Sequence, residues 1–294
     1  MLEKKYVTLK NGETYAYLEK GTGDKVLVLI HGNLSSSVYY KPLIDRLPED
    51  IRVIAPDLRG FGNSSYQNPF DSLATLATDI QLLLSELKIS KAHIAGWSLG
   101  GGVAMEFAAR YPRSTEKLIL INSTTHKGYP IFKKDAQNAP IFTEGYKNKD
   151  DMAKDPIQVK PILEAIATEN AFFMSYIYDL TIYTNKKPSP EDSQLYIAET
   201  LKQRALVDAD FALASLNMSD TPNLYAKGDG SIKQIKADTL MFWGTLDKTV
   251  PEYMVLDNLK ALPNAKYVKF DDCGHSPLVD KPDELANEIL AFIA

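Results

Sequence analysis

The chain has 294 residues, of which 45% are hydrophobic and 24% charged, and these fractions are ordinary for a globular protein. A net charge of −5 argues against strong nucleic-acid binding, and one cysteine, Cys273, excludes an internal disulfide and fits a reducing compartment. No apolar signal region opens the chain and no stretch reaches about 18 uninterrupted apolar residues. We therefore expect a cytoplasmic protein with no membrane partner.

Short β-type runs alternate with longer helical patterns along the chain. The first two runs, residues 6–9 and 13–18, flank Asn11-Gly12, a dipeptide that predicts a hairpin. Six further β-type runs follow, at residues 25–30, 51–55, 92–95, 117–121, 239–243 and 267–270. This alternation predicts an α/β fold, with a mostly parallel eight-stranded sheet that is flanked by helices and begins with an antiparallel pair.

The helical patterns divide the chain into two parts. Residues 73–87 carry apolar side chains three or four apart, which predicts a helix packed on the sheet. More than a hundred residues separate the runs at 117–121 and 239–243, and most of them predict helix, including 155–171, with Pro156 in its first turn, and 191–206. We predict a helical cap over 125–230, inserted into a core domain of 1–124 and 231–294.

The candidate nucleophile is Ser98. A strand ends in Gly96-Trp97-Ser98-Leu99-Gly100, and a helix rich in Ala, Met and Phe follows, which is the context that makes a G-x-S-x-G motif specific. The turn crowds the positions two residues before and after the serine, where glycine has no side chain to clash. The alternative is a glycine-rich loop that only packs strand against helix. No phosphate-loop pattern occurs here.

A serine hydroxyl needs a base, and the chain offers four histidines. His93 lies inside a predicted strand and is interpreted as structural. His31 begins His31-Gly32-Asn33, a second element of the site. His126 opens the predicted cap, where pocket lining and exposure are both open. His275 follows the last strand in the chain order Ser, acid, His, and is the predicted base.

The candidate acid is Asp247, on the loop after the strand at 239–243. Its carboxylate would hold the imidazole in the useful tautomer. Asp271 and Asp272 share the loop of His275, which gives them poor geometry to reach the far ring nitrogen. The other position where such an acid occurs, after residues 117–121, holds Asn122-Ser123.

An oxyanion that forms during acyl transfer needs two backbone donors. Leu99, directly after the nucleophile, supplies one amide. Asn33, on the loop after residues 25–30, is the predicted second donor. The alternative is that His31-Gly32 simply makes a turn. The scattered histidines form no H-E-x-x-H pattern, and we expect neither a metal nor an organic cofactor.

Five motifs in order make the chain resemble the α/β-hydrolase superfamily over nearly its whole length outside the predicted cap: His31-Gly32-Asn33, residues 57–62, residues 96–100, residues 244–247 and Gly274-His275. Serine at position 98 separates it from haloalkane dehalogenases and epoxide hydrolases, which carry aspartate there. Residues 96–112 and 128–135 are similar to bacterial intracellular esterases, some described as short-chain polyhydroxyalkanoate depolymerases. Acyl-homoserine-lactone lactonases share the His-Gly-Asn element and the capped plan.

Residues 171–183 in the predicted cap are dense in aromatic side chains. Phe172 with Tyr176, or Phe173 with Ile177 and Leu180, would share helical faces. The favoured interpretation is that these aromatic side chains pack on the core domain, and the alternative is that they line a pocket for the acyl group. The candidate substrate-binding residues are Trp97, His126, Phe172, Phe173 and Tyr176.

The sequence thus predicts a serine esterase that cleaves small or medium acyl esters, hydroxyalkanoate esters among them, through an acyl-enzyme on Ser98. A lactonase or a carbon–carbon bond hydrolase with the same three residues is the alternative. A non-catalytic ligand sensor is the alternative from another class. The partner expected is a small-molecule ester or lactone, and a homodimer stays open.

Overall fold

The computed structural model describes residues 3–294; Met1 and Leu2, the start of the predicted core domain, lie outside the described residues. The described chain contains ten strands, eight of them in one sheet. In chain order they are β1 (Lys5–Thr8), β2 (Thr14–Lys20), β3 (Lys25–Ile30), β4 (Ile51–Pro56), β5 (Ala92–Trp97), β6 (Thr115–Ile121), β7 (Phe132–Lys134), β8 (Pro140–Gly145), β9 (Thr239–Gly244) and β10 (Ala265–Phe270). Strands β7 and β8 pair only with each other, as an antiparallel hairpin.

The main sheet runs β1-β2-β4-β3-β5-β6-β9-β10. Strand β2 is antiparallel to β1 and to β4, and every other neighbouring pair is parallel. The predicted hairpin turn holds Gly12 at φ +89°, a conformation in which a side chain is strained. The α/β class and the mostly parallel eight-stranded sheet are confirmed.

Eleven helices accompany the strands in the described chain. They are α1 (Lys41–Ile44), α2 (Leu73–Glu86), α3 (Leu99–Arg110), α4 (Lys149–Met152), α5 (Lys160–Ala167), α6 (Ala171–Thr181), α7 (Pro190–Thr200), α8 (Leu206–Ser215), α9 (Glu252–Ala261), α10 (Pro277–Asp280) and α11 (Pro282–Ile293). The predicted helix at 73–87 corresponds to α2.

Helices cover both faces of the sheet, as the side chains of β3 illustrate. Val28 and Ile30 pack in a core that contains the apolar residues of α2 and α3. Leu27 and Leu29 point the other way, into a second core with residues of α1 and α11. Because a parallel strand buried on both faces needs apolar residues at every position, β3 reads as a continuous apolar run in the sequence.

The interval between β6 and β9 contains α4–α8 and also the β7–β8 hairpin, which the sequence did not predict. The predicted helix at 155–171 is wrong in its bounds, because the Asp155 carboxylate accepts hydrogen bonds from the amides of Ile157 and Gln158 and holds a turn there. Helix α5 therefore starts at Lys160 and ends at Ala167. Glu169, at φ +50°, separates it from α6.

The predicted helix at 191–206 also ends early. Helix α7 stops at Thr200, and α8 begins only at Leu206. Between them the amide of Arg204 donates to the carbonyl of Gly60, 2.7 Å away, in the main domain. This contact between residues far apart in sequence competes with helical hydrogen bonding, and local patterning does not reveal it.

Candidate active site

Ser98 occupies the sharp turn between β5 and α3. Its backbone has φ 57° and ψ −120°, a strained conformation for a residue with a side chain. A Cβ at Gly96 would lie 2.1 Å from the carbonyl oxygen of Gly100, and one at Gly100 would lie 2.1 Å from that of Ile30. Only glycine fits at both positions, so the turn packs as the motif predicts.

Asp247 and His275 lie on the loops after β9 and β10, two adjacent parallel strands. The His275 Nδ1 atom is 2.9 Å from Asp247 Oδ2, and both side chains are buried. The other carboxylate oxygen, Oδ1, accepts the amides of Thr249 and Val250 at 2.7 and 2.8 Å. This arrangement leaves the Nε2 side of the imidazole for a second partner.

The electrostatics keep Asp247 ionised. Burial acts to raise its pKa, but the charge of His275 and hydrogen bonds from His275, Asn122 and Val250 outweigh burial and hold that pKa below its usual value. An ionised acceptor favours the imidazole tautomer with its proton on Nδ1, and it stabilises an imidazolium.

Asn122 is a site residue whose contact the sequence did not predict. Its Nδ2 donates to Asp247 Oδ2 at 2.7 Å and to the carbonyl of Gly274 at 3.2 Å. It therefore tethers the acid and the loop of the base to the end of β6. Asn122 directly follows β6, at the alternative position for the acid, and this is the sequence signal that points to it.

His31 does not act as a base in this arrangement, because it holds the loop after β3. Its Nε2 accepts the amide of Leu58 at 2.9 Å, and burial lowers its pKa to about 4, so the ring is neutral. A Cβ at Gly32 would lie 3.0 Å from the Cβ of Ser98. The loop thus passes directly beside the candidate nucleophile.

The backbone amides of Asn33 and Leu99 make no hydrogen bond within residues 3–294. Both residues line the cavity that contains Ser98. Two unengaged amides beside a serine are donors that can meet an anionic oxygen in that cavity.

The side chain of Asn33 binds a carboxylate that the sequence did not single out. Its Nδ2 donates to Oδ1 of Asp210, in α8, at 2.7 Å, and its Oδ1 accepts from Nε2 of Gln203 at 2.9 Å. Burial raises the pKa of Asp210 to about 7, although the bond from Asn33 acts in the opposite direction. No motif marks Asp210, and only the fold brings it to the site.

The cavity that contains Ser98 and His275 has a volume of about 350 Å³. Trp97, a candidate from the sequence, forms part of its wall, and its indole donates to the carbonyl of His275 at 2.8 Å. The interval between β6 and β9 supplies much of the apolar wall, including Ile131, Ile162, Ile177 and Leu213.

The other predicted pocket residues lie elsewhere. Phe172 is 85% exposed and Tyr176 54% exposed, and Phe173 packs against the second core outside the cavity lining. The cavity is lined instead by Ile177, Tyr178 and Thr181 of α6 and by Ile182, which directly follows the helix. Tyr178 fixes this orientation because its hydroxyl donates to the carbonyl of Leu34.

The remaining histidines also lie outside the cavity lining. The ring and amide of His126 contact Oδ1 of Asn258, and the ring is buried. His93 is a buried strand residue whose pKa burial lowers to about 4. A larger cleft, about 550 Å³, includes Lys4, Lys41 and Glu199, but neither serine nor histidine lines it in the described chain.

No helix within residues 3–294 is both long and apolar enough to cross a membrane. No group of three His, Cys, Asp or Glu side chains is placed to share a metal ion in that range.

Comparisons with known proteins identify the family of the chain. Residues 25–282 fit the family model of the alpha/beta hydrolase fold. Lipase 1 of Psychrobacter immobilis is 28% identical, and the match covers 99% of this chain and 84% of the lipase. A 2-hydroxy-6-oxononadienedioate/2-hydroxy-6-oxononatrienedioate hydrolase of Paraburkholderia phymatum is also 28% identical, over 98% of this chain and 95% of that hydrolase. An esterase structure from Exiguobacterium antarcticum has a TM-score of 0.75 at 19% identity and covers 99% of both chains. The chain belongs to the α/β-hydrolase superfamily.

Proposed function

We propose that the protein hydrolyses carboxylic esters through an acyl-enzyme on Ser98. The observation that carries this proposal is the 2.9 Å contact between His275 Nδ1 and Asp247 Oδ2, because His275 lines the same cavity as Ser98, which lies on a strained turn. A buried carboxylate that orients a histidine beside a serine is the arrangement that activates a hydroxyl for acyl transfer.

The reaction has two steps. The oxygen of Ser98 attacks the ester carbonyl and its proton passes to Nε2 of His275, which then gives the proton to the departing alkoxide. Water enters, loses a proton to the same Nε2 and attacks the acyl-enzyme. The acid leaves and Ser98 recovers its proton.

The negative charge on the tetrahedral oxygen would meet the amides of Asn33 and Leu99. Both face the cavity without another hydrogen-bond partner in the described chain. The N-terminus of α3, which begins at Leu99, adds its positive dipole end. Donors fixed before the reaction need no reorganisation when the charge develops, and each such donor commonly contributes about 10²-fold or more to the rate.

Residues 125–230 serve in this proposal as the cap that chooses the substrate. Much of the apolar wall of the cavity comes from this range, with Ile131, Ile162, Ile177 and Leu213. A volume of about 350 Å³ with apolar walls suits a small or medium acyl chain.

A second candidate is a hydrolase that acts on a carbon–carbon bond with the same three residues. The Paraburkholderia relative, whose name gives 2-hydroxy-6-oxononadienedioate as a substrate, is as similar as the lipase, at 28% identity. A lactonase would also use the same chemistry, since a lactone is a cyclic ester.

A substrate panel tests the proposal. We expect p-nitrophenyl butyrate to be hydrolysed with kcat/KM of about 10⁴ M⁻¹ s⁻¹ or more, the lower end for enzymes in general. An N-acyl homoserine lactone and 2-hydroxy-6-oxononadienedioate should each be at least tenfold poorer. Preference for either of these would replace the esterase assignment. Tight binding with no turnover of any compound would favour the ligand sensor.

A further inference from the structure

We propose that Asp210 is a specificity-determining residue that binds a hydroxyl group on the acyl part of the ester, close to the carbonyl. This inference rests on the proposed esterase function and names the substrate class of the same site. It starts from a carboxylate that lines the cavity beside Ser98 and that the proposed mechanism does not use.

The two oxygens of Asp210 have different surroundings. Oδ1 accepts a hydrogen bond from Nδ2 of Asn33 at 2.7 Å. Oδ2 has no hydrogen-bond partner within residues 3–294, and it is not one of the polar atoms of that range that are closed to solvent. Since the residue lines the cavity, this oxygen is an acceptor offered to whatever occupies it.

No cation neutralises Asp210 in the part of the chain that the structure describes. This distinguishes it from two nearby buried carboxylates, since Asp155 pairs with Lys134 at 2.8 Å and Asp208 with Lys149 at 2.9 Å. Burial of the unpaired group is consistent with its pKa of about 7. A ligand that fills the cavity without a donor would leave this oxygen buried and without a partner, which is unfavourable, so a ligand that brings a donor gains affinity over one that does not.

The position of Asp210 limits where on the substrate that donor lies. The backbone amide of Asn33 is the proposed oxyanion donor, and the side chain of the same residue holds Asp210. One asparagine side chain and one hydrogen bond therefore separate the carbonyl oxygen from the carboxylate. The donor therefore belongs within a few bonds of the ester carbonyl.

A hydroxyl suits the cavity better than an ammonium group. Most of the wall is apolar, and moving a full charge from water into such surroundings costs several kcal/mol more than moving a hydroxyl. Lys248 also lines the cavity and repels a second cation. A hydroxyl satisfies Oδ2 without either penalty.

The test compares two esters that differ only in the hydroxyl, p-nitrophenyl 3-hydroxybutyrate and p-nitrophenyl butyrate. For the parent at pH 8 we expect kcat/KM to be about tenfold higher for the hydroxy ester, the lower end of what a hydrogen bond to a charged group contributes. Asp210→Asn keeps an acceptor for Asn33 but removes the charge, and should bring this ratio close to one. Asp208→Asn is the matched control on α8, buried but outside the cavity lining, and should keep the parent's ratio.

The pH dependence of the ratio is an independent readout. Both esters react through the same residues, so pH effects on the chemical step cancel in the ratio, which should rise severalfold between pH 6 and pH 8 as Asp210 ionises. The ionisable groups that face Asp210 stay in one state over this range, because the pKa of Tyr129 is raised to about 12, that of Tyr225 is raised, and that of Asp155 is lowered. This measurement needs only the parent and holds even where Asp210→Asn fails to fold.

Two results would overturn the inference. One is a ratio that neither changes with pH nor falls in folded Asp210→Asn. The other is a preference for p-nitrophenyl 3-aminobutyrate over the hydroxy ester, which would assign the site to a cation. Failure of the proposed function itself looks different, because Ser98→Ala would then retain turnover of both esters.

Discussion

Alanine in place of Ser98 is expected to lower kcat/KM for p-nitrophenyl butyrate by about 10⁴-fold or more. The variant has no hydroxyl to form the acyl-enzyme, so turnover must proceed by direct attack of water. The Asn33 and Leu99 amides remain in place and keep a small residual rate above that of the uncatalysed reaction. Initial rates from p-nitrophenolate release measure the effect.

A fold control accompanies Ser98→Ala. Thermal unfolding should change by no more than a few degrees, since the change removes one oxygen atom at the cavity. Ser90→Ala is the matched serine variant, at an exposed position away from the cavity, and should retain the parent's rate. Turnover by Ser98→Ala within tenfold of the parent would show that another group is the nucleophile.

Asparagine in place of Asp247 is expected to lower kcat/KM by about 10³ to 10⁴-fold. The native carboxylate accepts four hydrogen bonds, two on Oδ1 from Thr249 and Val250 and two on Oδ2 from His275 and Asn122. An amide has only one oxygen. If the asparagine oxygen accepts from the two backbone amides, the asparagine NH₂ group faces His275 Nδ1 and favours the tautomer with the proton on Nε2. In that tautomer Nε2 cannot accept the proton of Ser98.

Asp271→Asn is the matched control for this second variant. Asp271 is exposed and shares the loop of His275, and the sequence alone offered it as a nearby acid. We expect the Asp271→Asn variant to keep the parent's rate. A large loss in Asp271→Asn together with a small loss in Asp247→Asn would reverse the assignment of the acid.

The sequence predicted the parts of the site that depend on strand ends. Ser98, Asp247 and His275 each follow a strand of a parallel sheet, and the carboxyl ends of such strands meet at one edge. The apolar runs locate these strands, and the glycines around Ser98 reflect steric contacts within a few residues in sequence. Local sequence patterns are therefore enough to predict that the three residues lie at the same edge of the sheet.

The remaining features depend on contacts between distant segments. Helical spacing shows which residues of α6 share a face but not which face turns toward the cavity. The hydrogen bond from the Tyr178 hydroxyl to the carbonyl of Leu34, 144 residues away, decides the orientation of the helix. His126 pairs with Asn258 across 132 residues, and Asn33 with Asp210 across 177. No local period or spacing encodes such pairs, so the pocket lining and Asp210 were not predictable.

Covalent trapping tests whether Ser98 is the nucleophile. The parent is treated with diethyl p-nitrophenyl phosphate, and tryptic peptides are analysed by mass spectrometry. We expect one p-nitrophenolate released per chain, complete loss of esterase activity, and a diethylphosphoryl adduct on Ser98 in the peptide of residues 92–110. Ser98→Ala should remain unmodified. An adduct on a different residue, or full inhibition with Ser98 unmodified, would show that Ser98 is not the nucleophile.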